Sequence, residues 1–271
     1  MTGAPLAWMR NSPVRGLAAL VAGGGSGIGE AVCRTLAANG ASVAVADIAA
    51  VNAARVASEI TADGAAAARS IGVAMDVSRQ EDIDSGVAQT VAAFGRLDIV
   101  VNCAAVVLAA RLEDCTVDDW RRSFDVNVLG ALLLARACLP HLRASPAASI
   151  VNVATLGWIW GRPNGGPYAP SKAALVTMTR QMALEWAQDG VRVNAVNPGT
   201  ILTPLALATL PEALREQRAR EIPLGRLGTP GEVADLIVFL ASPAASYITA
   251  QAFNCDGGHS QALFFKQGRT Q

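Results

Sequence analysis

Histidine, tyrosine and net charge are what this sequence has least of. Its 271 residues include two histidines, two tyrosines and five cysteines, and 22 basic residues balance 22 acidic ones. A net charge of zero, with no block of like charge, lacks the basic footprint of a nucleic-acid-binding protein. Cys33, Cys103, Cys115, Cys138 and Cys255 are odd in number, widely spaced and free of any C-x-x-C pair. That pattern speaks against a disulfide framework and a cysteine zinc site. His141 and His259 add too little to make a metal centre, so no metal is expected. No uncharged apolar stretch reaches the roughly 18 residues that cross a bilayer, and no membrane role is expected. Arg10 and Arg15 before the apolar residues 17–22 resemble a short signal peptide. The same run serves better as a first strand, because its removal would destroy the glycine turn behind it. A reduced, cytoplasmic setting is the default expectation.

What the sequence has in quantity is apolar residues, 52% of the chain, and 25 glycines. The length suits one large α/β domain, taken as residues 1–271. The most telling glycines lie in Ala22-Gly23-Gly24-Gly25-Ser26-Gly27-Ile28-Gly29, between an apolar run and a helical segment. Strand, glycine turn, helix is an order that binds phosphate. Glycine permits the tight turn and the close approach of a pyrophosphate, and the helix N-terminus attracts its charge. A glycine cluster alone also makes ordinary turns, so the motif is a hypothesis that needs its context.

The context is a steady alternation of strand and helix patterns. Strands are expected at residues 17–22, 42–47, 71–76, 97–102, 149–153, 191–197 and 252–255. Helices are expected from residue 30, then at 51–62, 78–94, 117–142, 168–188 and 230–241. Such alternation implies right-handed parallel crossovers. The fold class is therefore α/β, a doubly wound parallel sheet of the Rossmann type with about seven strands and helices on both faces. Ser78 with Glu81, Thr116 with Asp119 and Thr229 with Glu232 have the spacing of capping boxes. Residues 200–228 break the alternation and are expected to form a substrate lid or, more blandly, a surface helix pair.

Two constellations give the turn a chemical setting. Asp47 lies 18 residues after Gly29, at the end of the second strand. An acid there accepts hydrogen bonds from the adenosine ribose of NAD. It would repel the 2′-phosphate of NADP by an order of 4 kcal/mol at about 4 Å and an effective dielectric near 20. Ser26 and Ile48 bring no countercharge, so NAD is the expected cofactor. Tyr168 and Lys172, four residues apart, share one face of a helix. An ammonium near a phenol favours the phenolate, which makes tyrosine a usable acid or base near neutral pH.

Taken together, the glycine loop, Asp47, Asp76-Val77, Asn102-Cys103-Ala104, Asn127, Tyr168 with Lys172, Asn197-Pro198-Gly199 and Asp256-Gly257-Gly258 fall in a familiar order. The chain resembles the single-domain short-chain dehydrogenase/reductases over residues 16–258. The resemblance implies Tyr168 as general acid/base and Lys172 as the group that binds the nicotinamide ribose and lowers the tyrosine pKa. It implies Asn127 as holder of a relay water and Thr155, in the place of the family serine, as the hydroxyl that orients substrate. Gly23, Gly25, Ser26, Gly27, Ile28 and Gly29 would cradle the pyrophosphate. Asp76 and Val77 would flank the adenine, with Asn102 and Ala104 beside the cofactor. Pro198, Gly199, Ile201 and Thr203 would meet the nicotinamide. The family is usually homotetrameric, with a homodimer as the smaller alternative. Ala22 and Cys103 depart from the pattern: a threonine usual at position 22 would tie the loop to the fourth strand, a bond worth about 0.5–1.5 kcal/mol.

The expected reaction is hydride transfer between NAD(H) and a secondary alcohol or ketone. Trp158 and Trp160, following Thr155, suggest an apolar or cyclic substrate. Leu202, Leu205, Leu207 and Leu210 add apolar lid candidates, and Arg162 is the one nearby charge that could meet an anionic substrate. An NADPH-dependent ketone reductase and a non-catalytic NAD-binding regulator are the competing readings.

Overall fold

The computed structural model describes residues 14–62, 69–160 and 163–262. The first half of the chain runs β1 (Ala18–Ala22), α1 (Gly27–Ala38), β2 (Ser42–Asp47), α2 (Ala50–Ala62), β3 (Ser70–Ala74), α3 (Gln80–Phe94) and β4 (Ile99–Asn102). There follow α4 (Val117–Phe124), a π-helical turn (Asp125–Leu129), α5 (Gly130–Leu142), β5 (Ser149–Val153), α6 (Tyr168–Trp186) and β6 (Arg192–Pro198). The last elements are α7 (Pro204–Thr209), α8 (Glu212–Glu221), α9 (Pro230–Ala241) and β7 (Ala252–Cys255). The seven strands form one parallel sheet in the order β3-β2-β1-β4-β5-β6-β7. The chain reverses its winding between β1 and β4. There the carboxyl ends of two neighbouring strands diverge into loops on opposite faces and open a crevice.

A parallel sheet covered on both faces needs strands that are apolar on both sides. β1 and β4 are buried at every residue. Ala19 and Val21 of β1 enter one core with Val32 and Leu36 of α1, Val56 of α2 and Val233 and Ile237 of α9. Leu20 and Ala22 enter the other with Ile83 of α3, Leu134 and Cys138 of α5 and Met182 of α6. The run Val117–Leu142 is long and apolar enough to cross a membrane by length and composition alone. Ala131, Leu134, Ala135, Cys138 and Leu142 of that run are buried in the second core.

Several sequence expectations change. The expected helix over 117–142 is interrupted by the π turn. The expected helix over 168–188 ends at Trp186 and continues as a 3-10 turn. Thr116 with Asp119 and Thr229 with Glu232 form capping boxes, but Ser78 with Glu81 does not. The Ser78 amide and hydroxyl instead donate to Asp76 Oδ1, at 2.9 and 2.7 Å, and α3 starts at Gln80. An aspartate two residues upstream offered a closer acceptor than the helix did. Residues 200–228 fold as the helices α7 and α8, closed at the base by an isolated bridge between Ile201 and Gly228.

At the end of the sheet remote from the crevice, Asp98 is fully buried and accepts from Ala18 N, Arg96 Nε and Nη2, and Ser145 Oγ. Removing a buried carboxylate that serves so many donors leaves them unpaired. Asp98→Ala should lower the unfolding free energy by about 3 kcal/mol, measured by urea denaturation. A change within 0.5 kcal/mol would contradict the role assigned to this cluster.

Candidate active site

The site is built at the crevice, and the glycine turn forms its floor. Gly23 has φ +72°, and a Cβ there would lie 2.7 Å from Ala104 N, so the exit of β4 rests directly on the loop. At Gly29 a Cβ would lie 2.0 Å from Gly23 O, which lets α1 cross the loop only because that atom is missing. Ser26 stands at the N-cap of α1 in extended conformation and makes no side-chain cap bond. The first-turn residues Gly27, Ile28 and Gly29 line a cleft of about 840 Å³. An uncapped helix start facing a cleft of that size suits a pyrophosphate. The loop also holds without the threonine that Ala22 replaces: Cys103 N donates to Ala22 O at 2.8 Å, and Ala104 N to Asn102 Oδ1 at 3.2 Å.

Asp47, at the end of β2, accepts from Gly25 N and Ala49 N, both at 2.9 Å. These two bonds fix its carboxylate at the lip of the cleft, beside Ile48, Asp76 and Val77. Position 25 has to be glycine because a Cβ would lie 2.7 Å from Asp47 Oδ2. A neighbour the sequence reading missed is Arg55 of α2, whose Nη2 donates to Gly25 O at 3.1 Å and to Glu30 Oε2 at 2.9 Å. Glu59 also accepts from Arg55, at 3.1 Å. The hydrogen bond from Arg55 holds the Glu30 carboxyl below its usual pKa. Glu30 also pairs with Arg34 one turn along α1, at 2.8 Å, and Arg55 with Glu59 one turn along α2. Arg55 joins the two helices by reaching Glu30, a contact that no local spacing marks.

At the other end of the cleft, Thr155, Tyr168, Lys172, Pro198, Gly199, Ile201 and Thr203 come together with Ala104. Lys172 is 1% exposed, and its Nζ donates to Val153 O at 2.8 Å and stands 6.0 Å from the centre of the Tyr168 ring. Burial lowers its pKa to about 8, since the charged form loses its hydration. The Thr155 hydroxyl accepts from Gly157 N at 3.2 Å, which fixes the first turn after β5. Thr203 caps α7 by accepting from Ala206 N, and its methyl lies 3.4 Å from where a Gly27 Cβ would be. Gly199 donates to Cys255 O at 2.9 Å, tying the end of β6 to β7. The Cys103 thiol lines the same cleft, with its pKa pushed up to about 12 by burial, and is unsuited to act as a nucleophile.

Three predicted residues lie behind the wall. Gly25 and Asn102 hold Asp47 and Ala104 in place. Asn127 is fully buried in the π turn. Its Oδ1 accepts from Val106 N at 2.8 Å, and its Nδ2 donates to Val106 O at 3.0 Å and Ser171 Oγ at 2.9 Å. Ser171 in turn donates to Tyr168 O at 2.7 Å. The Asn127 side chain therefore clamps the segment after β4 to the first turn of α6. Ser171 and Val106 were missed because no short motif marks them.

A second cleft of about 490 Å³ meets the first at Thr155 and Tyr168. Trp160 lines it, packed edge-on against His259 with ring centres 4.7 Å apart. Trp158 does not, contrary to expectation. Its indole donates to Asn197 Oδ1 at 2.9 Å, and the ring packs on Ala154, Val176 and Ala195. Leu202 and Leu207 are exposed, and among the described residues of α7 it is Ala206 that lines this cleft. The side chain of Leu205, and all of Arg162, lie outside the described residues.

A dinucleotide-sized crevice at the switch point, with a phenol and a buried ammonium at its far end, defines an oxidoreductase that works with a nicotinamide cofactor. Known proteins agree. A family model described as enoyl-(acyl carrier protein) reductase matches residues 22–260. The chain is 38% identical over 245 residues to the 3-oxoacyl-(acyl-carrier-protein) reductase FabG of Thermotoga maritima, covering 90% of this chain and 98% of that one. It is 37% identical over 248 residues to the cis-4-hydroxycyclohexanecarboxylate dehydrogenase of Sinomonas cyclohexanicum, covering 89% and 96%. A crystal structure of gox2181 superposes with a TM-score of 0.86 at 30% identity, covering 94% of this chain and 99% of that one. The chain belongs to the short-chain dehydrogenase/reductase family.

The buried lysine generates a test of its own. In the unfolded chain Lys172 keeps its proton up to about 10.5, and in the folded chain only to about 8. The unfolded state binds more protons between those values, so this group makes stability rise with pH across that window. Below it the cost is roughly 3 kcal/mol, less what the bond to Val153 returns. Lys172→Met should raise the nucleotide-free Tm at pH 7 by a few degrees, read by scanning calorimetry, while abolishing turnover. A lowered Tm would contradict the assigned cost of burial.

Proposed function

We propose that this chain is an NAD-dependent dehydrogenase of secondary alcohols, cyclic ones foremost, reversible as a ketone reductase. One observation carries the reading: Thr155 and Tyr168 stand where two clefts meet, with Lys172 on the cofactor side and Asp47 at that cleft's far lip. The glycine turn with its uncapped helix start supports a pyrophosphate, and Asp47 supports the diol of an unphosphorylated ribose. NAD held there would supply the hydride acceptor for the carbinol carbon.

The chain's own residues handle the proton and the alignment. The Thr155 hydroxyl hydrogen-bonds the substrate oxygen and turns it towards Tyr168. Tyr168 as phenolate removes the hydroxyl proton, and as phenol returns it in the reverse direction. Protonated Lys172 stabilises the phenolate through its charge, and its shifted pKa lets it exchange protons near neutral pH. Asn127 positions Val106 and the first turn of α6. Residues 200–228 act as the lid. The exposed Leu184 of α6 supports a homotetramer packed through the long helices, in a cytoplasmic setting. The cyclic substrates named for relatives from Sinomonas cyclohexanicum and Sphingobium indicum, the latter a 2,5-dichloro-2,5-cyclohexadiene-1,4-diol dehydrogenase, support a ring in the second cleft.

A second reading, an NADPH-dependent ketone reductase, draws on Arg55 beside the loop. That guanidinium is engaged by Glu30 and Glu59, which leaves Asp47 to govern the site. Asp47→Ala should narrow the NAD over NADP preference in kcat/KM by tenfold or more, and an unchanged ratio would contradict the assignment. Tyr168→Phe should lower kcat by a factor of about 10²–10⁴ with NADH affinity retained in fluorescence titration. Activity within a few-fold of the parent would overturn the role of Tyr168.

A further inference from the structure

A third cleft, of about 740 Å³, adjoins the second. Among the described residues, Gly157, Trp160, Pro163, Gly165 and Ala169 border both. Two of these are glycines, one is alanine and one is proline, so Trp160 supplies the one large side chain in that shared wall. We infer that Trp160 is a specificity-determining residue. Its indole closes the second cleft against the third and so confines the substrate to an alcohol whose ring bears no long apolar substituent. The inference rests on the proposed reading that the carbinol end lies at Thr155 and Tyr168.

The shared wall stands close to the reacting end. A Cβ on Gly157 would lie 3.4 Å from the Thr155 methyl and 3.8 Å from Ala169 Cβ. A ring held by its oxygen at Thr155 would thus present its own substituents to this wall. The indole is kept on the second-cleft side by His259, with ring centres 4.7 Å apart and planes at 73°. Edge-to-face contact is directional, so it holds the indole in one orientation. Trp158 borders the third cleft alone, and its indole is engaged by Asn197. Beyond the wall the third cleft is largely apolar, lined by Leu112, Ile159, Pro170 and Ala173. Its two charged residues, Arg111 and Glu113, pair with each other at 2.6 Å. Each methylene buried there would raise affinity by a factor of about four. A short alkyl chain therefore gains strongly if it can enter, and Trp160 denies it that gain.

The test compares cyclohexanol with 4-butylcyclohexanol, titrated calorimetrically into the full-length protein in the presence of NADH, with which an alcohol binds without being oxidised. In the parent protein the butyl group should raise affinity by no more than about threefold. In Trp160→Ala the ratio of the two affinities should rise by roughly tenfold or more. Trp160→Phe, which keeps a ring in the wall, should stay near the parent ratio. Ala173→Trp, added to Trp160→Ala, should take the gain away, because position 173 lines the third cleft and not the second. A gain in affinity for the larger ligand does not follow from a merely loosened fold. A ratio unchanged by Trp160→Ala, or a gain that survives Ala173→Trp, would overturn the inference. Oxidation of cyclohexanol with NAD reports separately on the proposed function. A Trp160-dependent discrimination without any alcohol oxidation would sustain the partition and contradict the catalytic reading.

Discussion

Everything at the reacting end of the cleft depends on one costly act of burial, that of the Lys172 ammonium. The side chain is almost fully enclosed, with Nζ bonded to the carbonyl of Val153 at the end of β5. Enclosure depresses the pKa to about 8, which places the charge at the edge of leaving at physiological pH. A surface lysine would be a permanent and well-screened cation. This one is poised to give and take a proton beside a phenol 6.0 Å away. The fold tolerates the cost because α6, which carries Lys172, packs against the sheet through Val176, Met182 and Ala183.

The surroundings follow from holding that group in place. α6 must start with Tyr168 and Lys172 on the face towards β5, and Ser171 fixes its first turn through Tyr168 O. Ser171 in turn meets Asn127, which reaches it because the helical run over 117–142 is widened by a π turn. The same asparagine takes both the N–H and the C=O of Val106, so the segment leaving β4 is set by the element that sets the tyrosine. β4 then rests on the glycine loop through Cys103 N and Gly23. One connected set of contacts thus runs from the backbone of Tyr168 to the glycine loop, through the side chains of Ser171 and Asn127 and the segment that leaves β4.

Much of this was legible in the sequence, and the parts that were not share a cause. Strand and helix alternation, the parallel sheet and the glycine turn could be read because each rests on local periodicity or on glycine's freedom at positions such as Gly23. Tyr168, Lys172 and Asp47 were singled out by spacing, and all three line the first cleft. The failures are residues whose partners are remote. Trp158 looked like a substrate wall but reaches Asn197, 39 residues away. The exception is local: Ser78 looked like a cap but turns back to Asp76, two residues away. The π turn has no composition of its own. Arg55 and Arg218 are ordinary helix-surface residues in the sequence, and only tertiary packing brings one to the glycine loop and the other to the second cleft.

The most direct test of this account is to watch Lys172 itself titrate. NMR of protein carrying ¹⁵N-labelled lysine, assigned by comparison with Lys172→Arg, reports the protonation of each ε-amine as pH is raised. The Lys172 resonance should titrate near pH 8, well below the ordinary lysine range. A midpoint at the ordinary lysine value of about 10.4 would contradict it.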